Sequence, residues 1–150
     1  MDVGDRRIGL AVSDAQGSIA RPLDIIERRD DDRAIGEIEN LIDVHDVSTI
    51  VVGMPYLMDG TVGHQGEKIR LFVSKLAERI TIPVEYRDES LTTSRARSLM
   101  KVTRGRKKRR TEKDDAVAAA WLLQEYLDET RPRTAGYDID GIGTDEIQPD

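Results

Sequence analysis

The chain has 150 residues, a net charge of −6, 38% hydrophobic and 35% charged residues, and no cysteine. That length suits one domain with a real core, and the missing cysteines exclude disulfides, Cys-ligated zinc and thiol catalysis. With two histidines in all, His45 and His64, any bound metal would have to be held by oxygen ligands, which suits Mg²⁺ or Mn²⁺.

Other exclusions follow from the pattern. No apolar run approaches the roughly 18 residues that a membrane helix needs. The first residues carry Asp2, Asp5, Arg6 and Arg7 where a signal peptide would be apolar. A cytoplasmic protein is expected. The acidic sum hides a basic segment, Arg104 to Arg110 (RGRKKRR), with six positive residues in seven.

In chain order, MDVGDRRIGLAVSDA reads as a strand end, a tight turn bracketed by Gly4 and Gly9, and a second strand, with Asp2 at the hairpin's mouth. Ser18 to Glu27 reads as a third strand, which Pro22 places at a sheet edge. Arg33 to Val44 has helical apolar spacing, and Asp30, Asp31 and Asp32 favour its positive end. Ser48 to Met54 is a short β-branched run, a buried strand parallel to a neighbour.

A loop, Pro55 to Gly63, follows with Asp59-Gly60 as its turn signal. Glu67 to Ile80 is an amphipathic helix, Pro83 to Arg87 a strand, and Thr92 to Val102 another helix. Thr111 opens the last helix, where Thr111 and Asp114 outline a capping box. Ala116 to Leu123 is apolar all round, so this helix is expected to be buried on most sides, with Trp121 in the core. From 131 to 150 the chain is polar, acidic and without periodicity, as in a flexible tail. The element order gives a mixed sheet flanked by helices, an α/β fold.

Three acidic positions stand out by place. Asp2 lies at the first strand, Glu89 at the end of the last strand, and the pair Asp114 and Asp115 at the start of the last helix. Parallel α/β sheets place ligands outside the carboxyl ends of strands. Three carboxylates from distant segments could hold Mg²⁺ or Mn²⁺ for phosphodiester cleavage, with two ions about 3.5–4 Å apart serving the attacking and leaving oxygens. Each acid alone also has a bland reading, as a helix-end charge, a solvated turn or a terminal residue.

Together MDVGDRRIGLAVSD, VVGMPYLMDGT, DESLTT and DDAVAAAWLLQEYL resemble the YqgF family, in its motif order and spacing from Met1 to about Leu127. Members are described as pre-16S rRNA nucleases and as Holliday-junction resolvases. The resemblance implies a ribonuclease H-like fold over residues 1–130, a five-stranded mixed sheet of order 3-2-1-4-5 whose second strand is antiparallel to the rest. It implies a two-metal-ion endonuclease with Asp2, Glu89 and Asp115 as the catalytic, metal-binding acids. It assigns Gly4, Gly9, Gly53, Pro55, Asp59, Gly60, Thr61, Thr92 and Thr93 to the turns around the mouth. Two departures carry consequences. Only Met1 precedes Asp2, where the family has several apolar residues: either the start codon lies further upstream or the central strand is shortened. Ser90 stands where an arginine is common.

The expected partner is structured RNA, pre-16S rRNA above all, or branched DNA, with no membrane involved. Nucleic-acid backbone would be gripped by Arg6, Arg7, Arg104, Arg106, Lys107, Lys108, Arg109 and Arg110. The protein would act as a monomer or homodimer. The rivals are a junction resolvase in DNA recombination, a non-catalytic nucleic-acid-binding module on the same fold, and an actin-like ATPase. The last would need two such domains and is disfavoured by the length.

Overall fold

Three strands open the fold: β1 (Asp2–Val3), β2 (Arg7–Ser13) and β3 (Ala20–Glu27). After them come α1 (Asp31–His45), β4 (Ile50–Met54), α2 (His64–Arg79), β5 (Val84–Asp88) and α3 (Glu112–Thr130). The computed structural model describes residues 1–89 and 112–132. The helix expected over Thr92 to Val102, Ser90, Thr92, Thr93, the basic segment, the Thr111 cap and residues 133–150 of the tail lie outside the described residues.

The opening hairpin forms as its glycine turn predicts. Gly4 N–H donates to the Arg7 carbonyl at 2.9 Å, and a Cβ on Gly4 would press that oxygen at 2.7 Å. Strands β1, β2 and β3 form an antiparallel meander. β3 begins at Ala20, two residues later than expected, because the Asp14 carboxylate takes the N–H groups of Ser18 and Ile19 into a turn. Between Leu10 and Ala11 the register slips and leaves Leu23 as an extra residue on β3. Among the described residues β3 pairs with β2 alone, the edge position that Pro22 requires.

Helix α1 starts two residues before the expected Arg33. Asp30 is its N-cap and accepts from Asp32 N–H at 3.0 Å. α2 also starts early, at His64, with Gly63 as N-cap, so a polar turn precedes the apolar spacing. It carries the chain from β4 to the parallel strand β5.

The described strands form two sheets, β1-β2-β3 and β4-β5, rather than one five-stranded ladder. They meet through Met1. Its amino group donates to the Val51 carbonyl at 2.6 Å, and its carbonyl accepts from Gly53 N–H at 3.1 Å. This is the slanted bonding of a parallel pair with Met1 opposite Val52. β1 has two residues against seven in β2 and five in β4. Beside the seam lies a cavity of about 520 Å³, lined by Leu10 to Ser13, Ser48 to Val51, Ile38, Leu41, Leu123 and Leu127 among others.

The two faces of the strands differ. One packs on α1 and α2 in a continuous core that includes Ile8, Leu10, Ile26, Ile35, Ile38, Val52, Met54, Ile69, Phe72 and Leu76. The other receives α3, which packs on β2 and β3. The expectation that α3 is buried on most sides is corrected: Ala116, Ala118, Ala119, Leu122 and Leu127 are buried, but Trp121 is 39% exposed. An apolar stretch with no polar face cannot announce which side turns outward, and the sheet contacts one side only.

Candidate active site

The site is built where two glycines let chain segments touch. Asp2 sits opposite Gly9 in the β1–β2 ladder. Gly9 follows Arg7 by two residues and shares its strand face, the one away from Ile8 and Leu10. A Cβ on Gly9 would overlap the Asp115 carbonyl and crowd Ala116 N at 2.9 Å, so α3 lies main chain to main chain on β2. Gly53 does the same for the third segment. Its N–H bonds the carbonyl of Met1, next to Asp2, and a Cβ there would overlap Glu89 Oε2. Glu89 N–H continues β5 against β4 by donating to the Met54 carbonyl at 3.2 Å. The segments that carry Asp2, Glu89 and Asp115 thus reach one end of the strands.

One of the acids there is held by a cation of the chain itself. Arg7 Nε donates to Asp115 Oδ2 at 3.1 Å, with the two side chains 33% and 12% exposed. Burial lowers the Met1 amino group from 8.0 to about 6, while Asp2 first and Glu89 second pull it back up, which places both acids near it. Asp114 is buried beside Asp115, so burial alone does not choose between them. Asp115 is the one of the two that meets Arg7.

Around this centre the predicted turn residues build a tight loop. Leu57 N–H donates to the Thr61 carbonyl at 2.9 Å, and Tyr56 bridges to Val62. The Asp59 carboxylate accepts from the Thr61 hydroxyl at 2.6 Å and from its N–H at 3.0 Å, which holds the acid below the ordinary carboxylate range. Gly60 has φ +81°, the left-handed conformation its turn signal predicted. Pro55 leads from β4 into this loop, and Met58 is fully exposed.

Residues 1–129 match the model of the family described as RuvX: Holliday junction resolvase. The chain belongs to the RuvX family. The YqgF resemblance is thereby borne out. A relative from Dehalococcoides mccartyi is 40% identical over 130 residues, covering 87% of this chain and 96% of its own length. One from Thermoanaerobacter pseudethanolicus is 42% identical over 130 residues, covering 85% and 93%. One from Desulforamulus reducens is 40% identical over 131 residues, again covering 85% and 93%. All three are named "Putative pre-16S rRNA nuclease".

Within this RuvX member, the expected site residues divide. The segments of Asp2, Glu89 and Asp115 reach one end of the strands beside Gly9 and Gly53. Arg6 is exposed on the hairpin turn and its carbonyl accepts from Arg28 N–H at 2.8 Å. Arg7, expected on nucleic-acid backbone, donates to Asp115. The donor chemistry, carboxylates without thiols, fits a hard divalent cation. The spacing is another matter: among the described residues no three acidic or histidine side chains stand close enough together to hold one.

Two features escaped the sequence reading. The Arg7–Asp115 pair could have been found from strand alternation, since Arg7 shares the face of Gly9. Arg87 on β5 reaches α3, bonding Glu129 at 2.7 Å, with Glu125 at 3.9 Å. Its guanidinium is raised chiefly by the Glu129 bond. No local pattern signals a strap between elements so far apart in sequence.

Proposed function

We propose that this chain is a nuclease that hydrolyses phosphodiester bonds in the maturation of pre-16S rRNA, as its relatives' names suggest for them. Family membership supports the reading, and one observation carries it: two glycine contacts, at Gly9 and Gly53, bring the segments of Asp2, Asp115 and Glu89 to one end of the strands. We read the two sheets as one ribonuclease H-like sheet of order 3-2-1-4-5, joined at Met1, within a domain spanning residues 1–130.

In this reading Asp2, Glu89 and Asp115 hold Mg²⁺ or Mn²⁺ in a two-metal-ion site. Such ions, when bound, supply Lewis-acid stabilisation of the phosphoryl oxygens. The chain's own part is placement. Gly9 fixes the end of α3 against β2, Gly53 leaves room for the Glu89 side chain, and the Asp59–Thr61 turn stiffens the loop beside them. The basic segment from Arg104 to Arg110, with Arg6, would grip backbone phosphates without reading sequence. The protein would work in the cytoplasm, as a monomer or homodimer.

The family description favours a second reading, resolution of four-way DNA junctions. Incubation of the wild type and Glu89→Gln with precursor 16S rRNA and a four-way junction, each with Mg²⁺ or Mn²⁺, separates the two. The rRNA precursor should be cut, and Glu89→Gln should lose at least about a hundredfold in rate while still binding. Paired cuts in the junction alone would replace this reading with the second. Binding without cleavage of either substrate by the wild type would leave a non-catalytic module.

A further inference from the structure

We infer that Met58 is a substrate-contact residue: its thioether side chain presses against a base step close to the scissile phosphate and gives the enzyme a preference for RNA that unstacks there. The inference rests on the nuclease reading given above and deepens it. Gly60 N–H donates to the Leu57 carbonyl at 2.8 Å and closes a β-turn with Met58 and Asp59 at its centre. Leu57 N–H in turn donates to the Thr61 carbonyl at 2.9 Å, and Thr61 holds the Asp59 carboxylate. Leu57 folds back over the loop, since a Cβ on Gly63 would come within 3.0 Å of its Cδ2. Met58 points outward, the most exposed large hydrophobic side chain among the described residues.

The loop is rooted at the site. The Met54 carbonyl accepts from Tyr56 N–H at 3.0 Å and from Glu89 N–H at 3.2 Å, so one oxygen fixes both the base of the loop and the main chain of Glu89. Met58 follows Met54 closely in the chain, which keeps it within about 14 Å of that oxygen, a reach of a few nucleotides. The side chains decide what the loop can touch. From Pro55 to Gly63 there is no lysine or arginine and a single acid, Asp59, so the loop is not built to grip phosphate. An apolar, polarisable thioether suits the face of a base instead. A wedge of this kind parts neighbouring bases at a cost that is lowest where they are already unpaired. The turn holds the side chain out before RNA arrives, so little ordering is left to be done on binding.

The test places 2-aminopurine, whose fluorescence rises on unstacking, at single positions around the mapped cleavage site of precursor 16S rRNA. Glu89→Gln, bound but not cutting, should raise the signal at one of these positions. Adding Met58→Ala should abolish the rise, and adding Met58→Leu should keep it. In an otherwise wild-type chain, Met58→Ala should cut the precursor with a KM about tenfold higher and kcat near normal. The defect should shrink on a precursor that carries a bulged nucleotide at the same step. Melting curves should match the wild type's, because the side chain stands in solvent; a lowered melting temperature would make the residue structural and overturn the inference. An unchanged KM and fluorescence rise in Met58→Ala would overturn it while the nuclease reading stands, and would assign the apolar tip to a protein partner. An equal defect on stacked and bulged RNA would overturn the preference. A wild type that leaves the precursor uncut removes the nuclease reading and the inference together.

Discussion

The two faces of the strands do different work. Against α1 and α2 the strands present Ile8, Leu10, Ile26, Val52 and Met54, which close on Phe72, Ile69 and Leu76 in a continuous apolar core. Towards α3 the strands present small residues and charge: Gly9 and Gly53 with Arg7, met by buried alanines and two buried aspartates. Large side chains keep elements apart and fill the space between them. Glycines let main chains touch, and that contact brings the segments of three acids to one end of the strands. The first face secures the fold, and the second carries the acids proposed for the chemistry.

Substitutions on each face should keep these roles apart. The largest loss is expected at Phe72, which is fully buried and carries the Arg28 guanidinium 4.7 Å from its ring centre. Phe72→Ala should cost about 4 kcal/mol in denaturant unfolding. Gly9→Ala comes next, at about 3 kcal/mol, because the added methyl meets main chain that cannot swing aside. Gly53→Ala sharpens the contrast. Its methyl meets mainly the carboxylate end of Glu89, which can rotate away, and sits tightly against the Glu89 Cβ at 3.2 Å, so stability should fall by about 1 kcal/mol while cleavage of precursor rRNA drops about a hundredfold. A large loss of stability with cleavage intact would break the division between the faces.

The smallest effect is electrostatic and lies on the first face. The hydrogen bond from Arg28 first, against a smaller opposing effect of burial, and then that from Lys75 hold the Asp31 carboxyl below its ordinary 3.8. That contribution is fully present above pH 3.8 and is lost as pH falls through the lower folded value. Asp31→Asn should cost about 1 kcal/mol at neutral pH and flatten the acid limb of stability measured by denaturant titration. An acid limb as steep as that of the wild type would show that other carboxylates carry it.

Much of the local structure was legible because its causes are local. Gly4 and Gly60 mark turns through their own backbone freedom. Asp30 caps α1 through a neighbouring N–H, and Pro22 identifies an edge by what it lacks. Boundaries slipped where a side chain reached a few residues along, as Asp14 does in delaying β3. The exposure of Trp121 was not legible, since every position from Ala116 to Leu123 is apolar and only the sheet decides which of them it covers. At the site, the acids are conspicuous at element ends, whereas the pairing of Arg7 with Asp115 needed the tertiary contact of β2 with α3.

Hydrophobic period, turn chemistry and capping are read along the chain, and by themselves they determined the strands, the helices and the acids at their ends. Motif order pointed to the family on the same terms. Tertiary structure alone decided that Met1 bonds Val51 and Gly53, that α3 rests on Gly9, and that Arg7 holds Asp115. These are contacts between residues up to 108 positions apart. They depend on how close two backbones can approach, and a side chain's absence sets that distance only once its neighbour is in place.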